Sequence, residues 1–261
     1  MDKGSFVGVV VAVGGILAGL IMEGGSVGQI LQPTAALIVF GGTLGAVMIQ
    51  FPLPVVLTAF SRLAQVFFER GHSSQAMIKE LVGYANKARK EGIVSLDSDL
   101  PNVKEPFLKK SLMLAVDGAE PEELRKMMEL ELDNKSEEEE RIPQVFESFG
   151  GFSPTVGIIG AVLGLIQVMQ HLDNIDEVGK GIAVAFVATI YGVAAANLFC
   201  LPAAGKLKIR IREEQILREM MLEGVISILE GMNPRMLETK LLGYLADSQK
   251  KNEEAPAERA A

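Results

Sequence analysis

Four long stretches of apolar residues divide the chain, and each is long enough to cross a lipid bilayer. They cover residues 5–22, 33–49, 148–172 and 181–205. A helix needs about 20 consecutive apolar residues to span the hydrocarbon core of a membrane. No alternating strand pattern is present, and a backbone exposed to lipid must satisfy its own hydrogen bonds. We therefore predict an all-α, polytopic membrane protein with four transmembrane helices.

Two polar segments, residues 62–147 and 206–261, separate and follow these spans. In the first, Pro121 suits the first turn of a helix. The apolar residues that follow it recur at helical spacing: Leu124, Met127, Met128 and Leu132. We interpret the acidic run at 137–140 as a solvated helix face, or alternatively as a patch that binds a partner.

The second polar segment also predicts helices. Charged and apolar clusters alternate over residues 206–232, which is typical of a helix leaving a membrane. Asn233 and Pro234 then indicate the start of a shorter helix. Residues from 247 onward have the composition of a disordered tail.

Lysine and arginine predict the orientation of the spans, because cytoplasmic loops carry an excess of both. The connection at 23–32 contains neither, and the connection between the last two spans contains only Lys180. The first polar segment carries 13 basic residues and the second carries 10. We therefore predict that both termini and the middle segment are cytoplasmic. The chain then divides into a first transmembrane hairpin, a helical cytoplasmic region, a second transmembrane hairpin and a cytoplasmic tail: residues 1–61, 62–147, 148–205 and 206–261.

The composition agrees with a membrane protein and excludes several other classes. Hydrophobic residues make up 49 % of the 261 residues, charged residues make up 22 %, and the mean hydropathy is +0.28. The first quarter of the chain cannot be disordered, collagen-like or part of an ordinary water-soluble enzyme. The net charge of −8 argues against nucleic acid as a partner.

The sequence contains no arrangement typical of an enzyme or a metal site. Cys200 is the only cysteine, and His72 and His171 stand far apart without neighbours at metal-ligand spacing. A nucleotide-binding loop is missing as well. We therefore predict no enzymatic activity, no bound metal and no cofactor.

The four spans contain no Asp, Glu, Lys or Arg. A protein that moves protons or ions usually places an ionisable group inside the membrane. If this chain takes part in ion conduction, another subunit must supply that group. Pairs of glycines four residues apart allow helix backbones to approach closely and favour an oligomer with dense packing: Gly15 and Gly19, Gly41 and Gly45, and Gly160 and Gly164.

Three residues within the second hairpin are candidates for function. Pro154 and Pro202 fall near its two predicted cytoplasmic ends, where each removes a backbone donor and leaves a carbonyl oxygen free. Each is either an ordinary helix start or kink, or a functional break. Thr189 lies in the middle of a span, where its hydroxyl either bonds to its own helix or lines a wet path.

Four motifs resemble the A subunits of flagellar motor stators, the MotA/PomA family, and the resemblance covers nearly the whole chain. The motifs are F-G-G-T-L-G-A at 40–46, A-R-K-E-G-I-V-S-L-D at 88–97, S-P-T-V-G-I-I-G-A-V-L-G-L-I at 153–166, and A-T-I-Y-G with N-L-F-C-L-P-A-A at 188–192 and 197–204. The resemblance implies a bacterial inner-membrane protein that forms a ring, a pentamer, around two MotB-like B subunits. In this family the B subunit carries the essential intramembrane aspartate and anchors to peptidoglycan. Ion flow turns the ring, which pushes on a FliG-like rotor switch protein.

The resemblance also assigns roles to residues of the second hairpin. Pro154 and Pro202 match two prolines that couple ion binding to conformational change, and Thr189 matches a threonine that lines the ion path. Ala161 stands where sodium-driven relatives usually have a threonine. Loss of that hydroxyl oxygen disfavours a dehydrated sodium ion, so the resemblance implies a proton as the translocated ion.

In the cytoplasmic region, Arg89 matches a basic residue that faces the rotor, and Asp97 falls where several relatives have glutamate. Two other classes of function stay open at this point. One is an energising subunit similar to the ExbB/TolQ group, which usually has three spans with a different spacing. The other is a membrane scaffold without an ion path.

Overall fold

The computed structural model describes residues 3–67 and 74–245, and these residues form helices without any strand. The all-α fold is therefore confirmed for the described part of the chain. Short 3-10 segments at Val27–Ile30 and Ile93–Asn102 lie between longer helices. The longer helices are α1 (Lys3–Met22), α2 (Pro33–Gln50), α3 (Leu53–Phe67), α4 (Ser74–Glu91), α5 (Pro106–Val116), α6 (Pro121–Gln170), α7 (Ile175–Leu229) and α8 (Pro234–Leu242).

Four of these helices, α1, α2, α6 and α7, are long and apolar enough to cross a membrane. This confirms the four spans predicted from hydropathy. The third and fourth spans belong to much longer helices than the apolar stretches alone indicate, because α6 has 50 residues and α7 has 55. In α6 the polar residues before the span are mostly good helix formers such as Glu and Lys, so the helix continues.

The described residues divide into two compact units, each assembled from two separate stretches of chain. The membrane unit comprises residues 3–67 and 138–209, and the polar unit comprises residues 74–137 and 210–245. The apolar stretches of all four spans belong to the membrane unit.

The polar unit has its own hydrophobic core. Leu124 and Met128 on α6 are completely buried, and Leu132 is nearly so. Met127, which the helical spacing also placed in this set, is instead 49 % exposed. The core is completed by apolar side chains of α4, α5, α7 and α8: Leu81, Leu108, Leu112, Met220, Ile226, Leu237 and Leu241.

Backbone geometry defines two helix boundaries in the polar unit, of which the start at Asn233 and Pro234 was predicted from the sequence. Gly92 ends α4 with a φ of +83°, a conformation that glycine adopts without steric cost. Asn233 caps α8, and its side-chain oxygen accepts a hydrogen bond of 3.0 Å from the backbone N–H of Arg235. The predicted tail from residue 247 lies outside the described residues.

The core of the membrane unit joins α2 and α3 to the parts of α6 and α7 that belong to this unit. Its buried residues include Val47, Val56, Phe146 and Leu207. The ring of Phe60 on α3 meets the rings of Phe146 and Phe149 edge-on, at centroid distances of 5.8 and 6.4 Å. Aromatic pairs in this geometry are favourable, and they fix α3 against α6.

Candidate functional site

The apolar parts of α6 and α7 pack as an antiparallel hairpin whose backbones touch, and we call this line of contact the glycine seam. A methyl group added at Gly164 would lie 2.7 Å from the carbonyl oxygen of Gly181 and 2.8 Å from the nitrogen of Ala185. One added at Gly157 would lie 2.9 Å from the carbonyl oxygen of Ala188. These distances are shorter than van der Waals contact, so only glycine allows the two helices to come this close.

At one end of the glycine seam a buried serine links the two helices. The hydroxyl of Ser153 on α6 donates a hydrogen bond of 3.0 Å to the carbonyl oxygen of Gly192 on α7. A methyl group at Gly192 would collide with the carbonyl oxygen of Ser153. Pro154 follows directly and is partly buried inside the continuous helix α6. Of the alternatives left open for Pro154, the structure excludes a helix start. The residue lies beside the closest contact of the seam.

Thr189 lies on α7 against this seam. Its hydroxyl donates a hydrogen bond of 3.2 Å to the carbonyl oxygen of Ala185 in the same helix, and its side chain is partly buried. A methyl group at Gly157 would lie 3.5 Å from the Cα atom of Thr189. The sequence offered two interpretations of Thr189. The structure shows the first of them, a hydroxyl that bonds to its own helix. Ala161 is partly buried on α6, one residue beyond Gly160 of the seam.

The second candidate proline, Pro202, follows a widened turn of α7. Residues Ala195–Cys200 form a π-helical segment, in which the N–H of Leu201 donates to the carbonyl oxygen of Ala196, five residues back. A proline clashes with the carbonyl group four residues before it. The wide turn relieves this clash, so α7 passes through Pro202 without ending. Such π-bulges occur frequently at functional sites.

Helix α2 packs against both helices of the hairpin. A methyl group at Gly42 would lie 2.8 Å from a methyl carbon of Val156, and one at Gly160 would lie 3.4 Å from Ile38. The hydroxyl of Tyr191 on α7 donates a hydrogen bond of 2.6 Å to the carbonyl oxygen of Ile30, in the connection before α2. Three helices therefore meet at the seam.

Sequence reasoning did not single out Ser153, Tyr191 or Gly192. Each lies within a motif that carried the family resemblance. Ser153 and Tyr191 place a hydroxyl inside an apolar span, and Gly192 has no side chain. A polar hydroxyl in such a span must find a partner, so Ser153 and Tyr191 carried a usable signal. The contact between Gly192 and Ser153 depends on how the two helices face each other, which no local pattern reveals.

The glycine pairs of α1 and α2 behave differently from the pair on α6. Nothing lies within 4 Å of a methyl group added at Gly15, Gly19 or Gly45. Helix α1 has no buried residue over its apolar stretch. These small residues therefore have no packing role within the described part of this chain.

The two candidates for rotor contact lie in the polar unit. Arg89 is exposed in the last turn of α4, and Asp97 is exposed in the 3-10 segment beyond Gly92. An ion pair of 2.7 Å between Lys87 and Asp99 connects α4 to the 3-10 segment. Arg89 and Asp97 lie on opposite sides of the turn at Gly92, so they do not share one helical face.

A charge cluster in the polar unit escaped the sequence analysis. The carboxylate of Glu223 on α7 binds Arg125 of α6 at 2.9 Å and also pairs with Lys240 of α8. Burial would raise the pKa of Glu223, but the hydrogen bonds from Lys240 and Arg125 outweigh it and hold the pKa below its usual value. These residues are far apart in sequence, which is why no spacing rule finds them.

Three of the four glutamates in the acidic run at 137–140 are exposed, as expected of a solvated helix face, and Glu139 is the exception. Glu139 is only 4 % exposed and forms an ion pair of 3.5 Å with Arg62 of α3. A buried carboxylate is normally paired with a positive group, and Arg62 in the last part of α3 provides one.

The geometry first defines a class of protein: a polytopic helical membrane protein with a close-packed hairpin and no charged residue in its spans. The MotA/TolQ/ExbB proton channel family matches residues 99–220, and the motility protein A N-terminal family matches residues 6–92. Motility protein A of Bacillus subtilis is 38 % identical over 94 % of this chain and 91 % of its own length.

Two solved structures resemble the whole fold. The structure of C. jejuni MotAB matches with a TM-score of 0.89 and 32 % identity, covering 95 % of this chain and 97 % of that one. The flagellar MotAB stator complex from Bacillus subtilis matches with a TM-score of 0.86 and 36 % identity, covering 96 % and 99 %. The chain belongs to the motility protein A family. The match of residues 6–92 to the N-terminal motility family favours the motility proteins over the ExbB/TolQ alternative.

Proposed function

We propose that the protein is the A subunit of the ion-driven stator of a bacterial flagellar motor. Four spans that contain no Asp, Glu, Lys or Arg are the observation that carries this proposal. Such a chain cannot relay protons by itself, since proton relays in membranes use ionisable side chains. A MotB-like B subunit with an intramembrane aspartate supplies the missing group, and two such subunits stand inside a ring of five A subunits.

In this proposal the glycine seam and its two prolines couple ion binding to movement. Ser153 and Pro154 lie at the contact with Gly192, so a change in the ion path next to α6 acts directly on α7. Pro202 acts on the same helix through the π-helical segment before it. Thr189 contributes a hydroxyl to the ion path. To do so, the hydroxyl gives up its bond to the carbonyl oxygen of Ala185.

The proposed ion is the proton, with sodium as the less favoured alternative. Ala161 offers a methyl group where a threonine would offer an oxygen ligand. A sodium ion that sheds water needs oxygen atoms to replace its hydration shell. A proton instead needs only the partner's carboxylate and water.

The polar unit is the part that acts on the rotor in this proposal, through the charges of Arg89 and Asp97. Both side chains are exposed, which a protein contact requires. The partner is a FliG-like switch protein. The protein lies in the bacterial inner membrane with both termini in the cytoplasm, in agreement with the distribution of lysine and arginine.

A complementation experiment tests the function. The chain and its cognate B subunit are expressed together in flagellated cells that lack their own stator, and swimming is measured. We expect swimming with both subunits and none with either subunit alone. The matched control replaces the intramembrane aspartate of the B subunit by asparagine and should be immotile at normal protein levels. Failure to swim with both intact subunits assembled at the motor would contradict the proposal.

A further inference from the structure

A cavity of about 470 Å³ lies within the membrane unit. Its walls come from α1, α3, α6 and α7, and most of the lining side chains are apolar, with Val9, Leu63, Val66 and Phe149 among them. Small-molecule sites typically have a volume of about 300–1,000 Å³ and an apolar lining with a few polar groups. The cavity is therefore large enough for a small apolar molecule.

The lining favours a ligand without charge. An apolar interior disfavours a charged group, because a charge removed from water needs a partner. Among the described residues that line the cavity, Lys206 is the one with a charged side chain, and it already interacts with another group of the protein. We therefore expect a ligand of this cavity to be neutral.

The π-helical segment Ala195–Cys200 leaves one backbone oxygen without its usual donor. In a regular α-helix the carbonyl oxygen of Asn197 accepts from the N–H of Leu201, and in a π-helix it accepts from the N–H of residue 202. The N–H of Leu201 instead donates to Ala196, and Pro202 has no N–H. The carbonyl oxygen of Asn197 therefore has neither of these two donors.

This oxygen belongs to the wall of the cavity. A helical carbonyl group points along the axis toward the residues four and five positions on, which are Leu201 and Pro202 for Asn197. Asn197 and Pro202 both line the cavity, and so does Leu198 between them. The side-chain amide of Asn197 donates a hydrogen bond of 3.0 Å to the carbonyl oxygen of Val193, in the opposite direction along the helix. A ligand in the cavity is thus well placed to supply the missing donor.

We propose that this cavity binds a neutral apolar molecule with one hydroxyl group, of the long-chain alcohol type, which enters from the bilayer. Its hydrocarbon part packs against the apolar walls, and its hydroxyl donates to the carbonyl oxygen of Asn197. A backbone oxygen inside a membrane needs such a donor, because lipid chains supply none. The inference rests on the cavity and on the geometry of α7, and it does not depend on the proposed motor function.

Photolabelling and competition test the site. The full-length protein is purified with its bound subunits, reconstituted in phosphatidylcholine bilayers and irradiated with a diazirine derivative of 1-octanol. Mass spectrometry of its peptides locates the label, which we expect on the lining residues of α7. Unlabelled 1-octanol and an ether of equal length, which accepts a hydrogen bond but cannot donate one, then compete with the label. The alcohol should compete at about fivefold lower concentration in the bilayer, since it alone forms the additional hydrogen bond.

Gly8 on α1 offers a variant that fills the cavity. It lines the cavity, and no atom of the described residues lies within 4 Å of a methyl group added there. Gly8→Leu should therefore occupy part of the cavity and remove the label from α7. Gly15→Leu is the matched control, because Gly15 lies on the same helix, is equally open and is not a lining residue. It should leave the labelling unchanged.

Pro202→Ala tests the hydrogen bond itself. If the widened turn persists in this variant, the restored N–H at position 202 donates to Asn197. If α7 becomes regular, the N–H of Leu201 does so instead. The carbonyl oxygen gains a donor in both cases, so 1-octanol and the ether should compete equally. Pro33→Ala, in the first turn of α2, should keep the preference for the alcohol.

Several results would overturn the proposal. Labelling of α7 that is absent, or that is equal in Gly8→Leu and Gly15→Leu, means that the probe does not enter the cavity. Equal competition by the alcohol and the ether in the unaltered protein means that no donor is recognised. A preference that persists in Pro202→Ala means that the oxygen of Asn197 is not the acceptor. If either variant does not assemble or take up the probe, the position of the label and the competition ratio in the unaltered protein decide alone.

Discussion

At the scale of single residues, the glycine seam makes a strong prediction for Gly192. A Gly192→Ala substitution would press a methyl group onto the carbonyl oxygen of Ser153. We expect a destabilisation of about 1–3 kcal/mol, the range for overpacking a close contact. Thermal unfolding of the purified complex measures the loss, together with its amount in the membrane.

Gly205→Ala is the matched control for this prediction. Gly205 lies on the same helix, and no atom of the described residues is within 4 Å of a methyl group added there. We expect no loss of stability in this variant. If Gly192→Ala and Gly205→Ala were equally stable, the close packing of α6 against α7 would not require a glycine at position 192.

The proposed choice of ion is also tested at the residue scale. Because Ala161 has no side-chain oxygen, motors driven by this subunit should follow the proton gradient and ignore sodium. Swimming speed at fixed pH should be the same with and without sodium, and a protonophore should stop it. Ala161→Thr restores a hydroxyl and is the comparison variant. Motors of the unaltered chain that stop in sodium-free medium would rule out the proton.

Sequence reasoning proposed candidate residues, but it did not reveal which residues they contact. Thr189 and the two prolines stood out because each is unusual in an apolar helix. The bond from Ser153 to Gly192 and the contact of Gly157 with Ala188 join residues more than 30 positions apart. Such contacts depend on the rotation of one helix against another, which periodicity alone leaves open.

At the scale of elements, the π-helical segment before Pro202 makes the next prediction. In Pro202→Ala the ring is removed and a backbone N–H is restored, so the widened turn Ala195–Cys200 is no longer needed and α7 can become regular. We expect motility to be abolished or strongly reduced while the complex still assembles. Swimming assays combined with co-purification of the B subunit measure both effects.

Pro33→Ala serves as the control for that experiment. Pro33 occupies the first turn of α2, where proline replaces a backbone donor that has no partner in the helix. Its replacement should leave swimming nearly unchanged. Normal swimming by cells whose only stator carries Pro202→Ala would show that the proline has no coupling role.

The turn that joins α4 to the 3-10 segment carries a prediction about the rotor. A double reversal, Arg89→Glu with Asp97→Lys, should leave folding intact, because an exposed charge contributes only about 0–1 kcal/mol to stability. Torque should fall, since charge complementarity sets partner choice and encounter rate. A compensating reversal on the rotor should recover part of it. The measurement is swimming speed under load at normal protein levels.

Lys126→Glu, an exposed charge on α6 in the same unit, is the comparison for this reversal. It should leave torque unchanged. Unchanged speed in the double reversal as well would mean that Arg89 and Asp97 are ordinary surface charges.

Helix existence was predictable, whereas helix length was not. Hydropathy located all four spans because a bilayer imposes a minimum apolar length. It did not show that α6 continues from its polar half through Pro143 and Pro154 to Gln170. A proline costs one hydrogen bond, and the surrounding helical residues and packing outweigh that cost in this helix. Whether a helix continues through a proline therefore depends on its packing against other helices, which the sequence does not show.

At the scale of the whole molecule, the polar unit should lose stability in acid through Glu223. Its pKa is lowered on folding, so its contribution is complete above the ordinary value of 4.5 and disappears as the pH falls through the folded pKa. Glu223→Gln should lower the free energy of unfolding of this unit by about 1–3 kcal/mol at neutral pH. The variant should also flatten the pH dependence below about 4.5.

Glu238→Gln, at an exposed position on α8, is the control and should change neither quantity. Unfolding followed by circular dichroism between pH 3 and 7 compares the two variants over about the range in which carboxylates titrate. Identical acid profiles for Glu223→Gln and the unaltered protein would show that the bonds from Arg125 and Lys240 add no net stability.

Within the described part of the chain, the glycine seam holds α6 and α7 together by short-range dispersion and by the hydroxyl-to-carbonyl bond of Ser153, and its residues are uncharged. Dispersion contacts do not depend on counterions, whereas the ion pairs of the polar unit weaken as salt screens them. High ionic strength should therefore loosen the exposed pairs of the polar unit and leave the hairpin unaffected. A cell that moves between fresh and saline water would keep the same hairpin geometry in both.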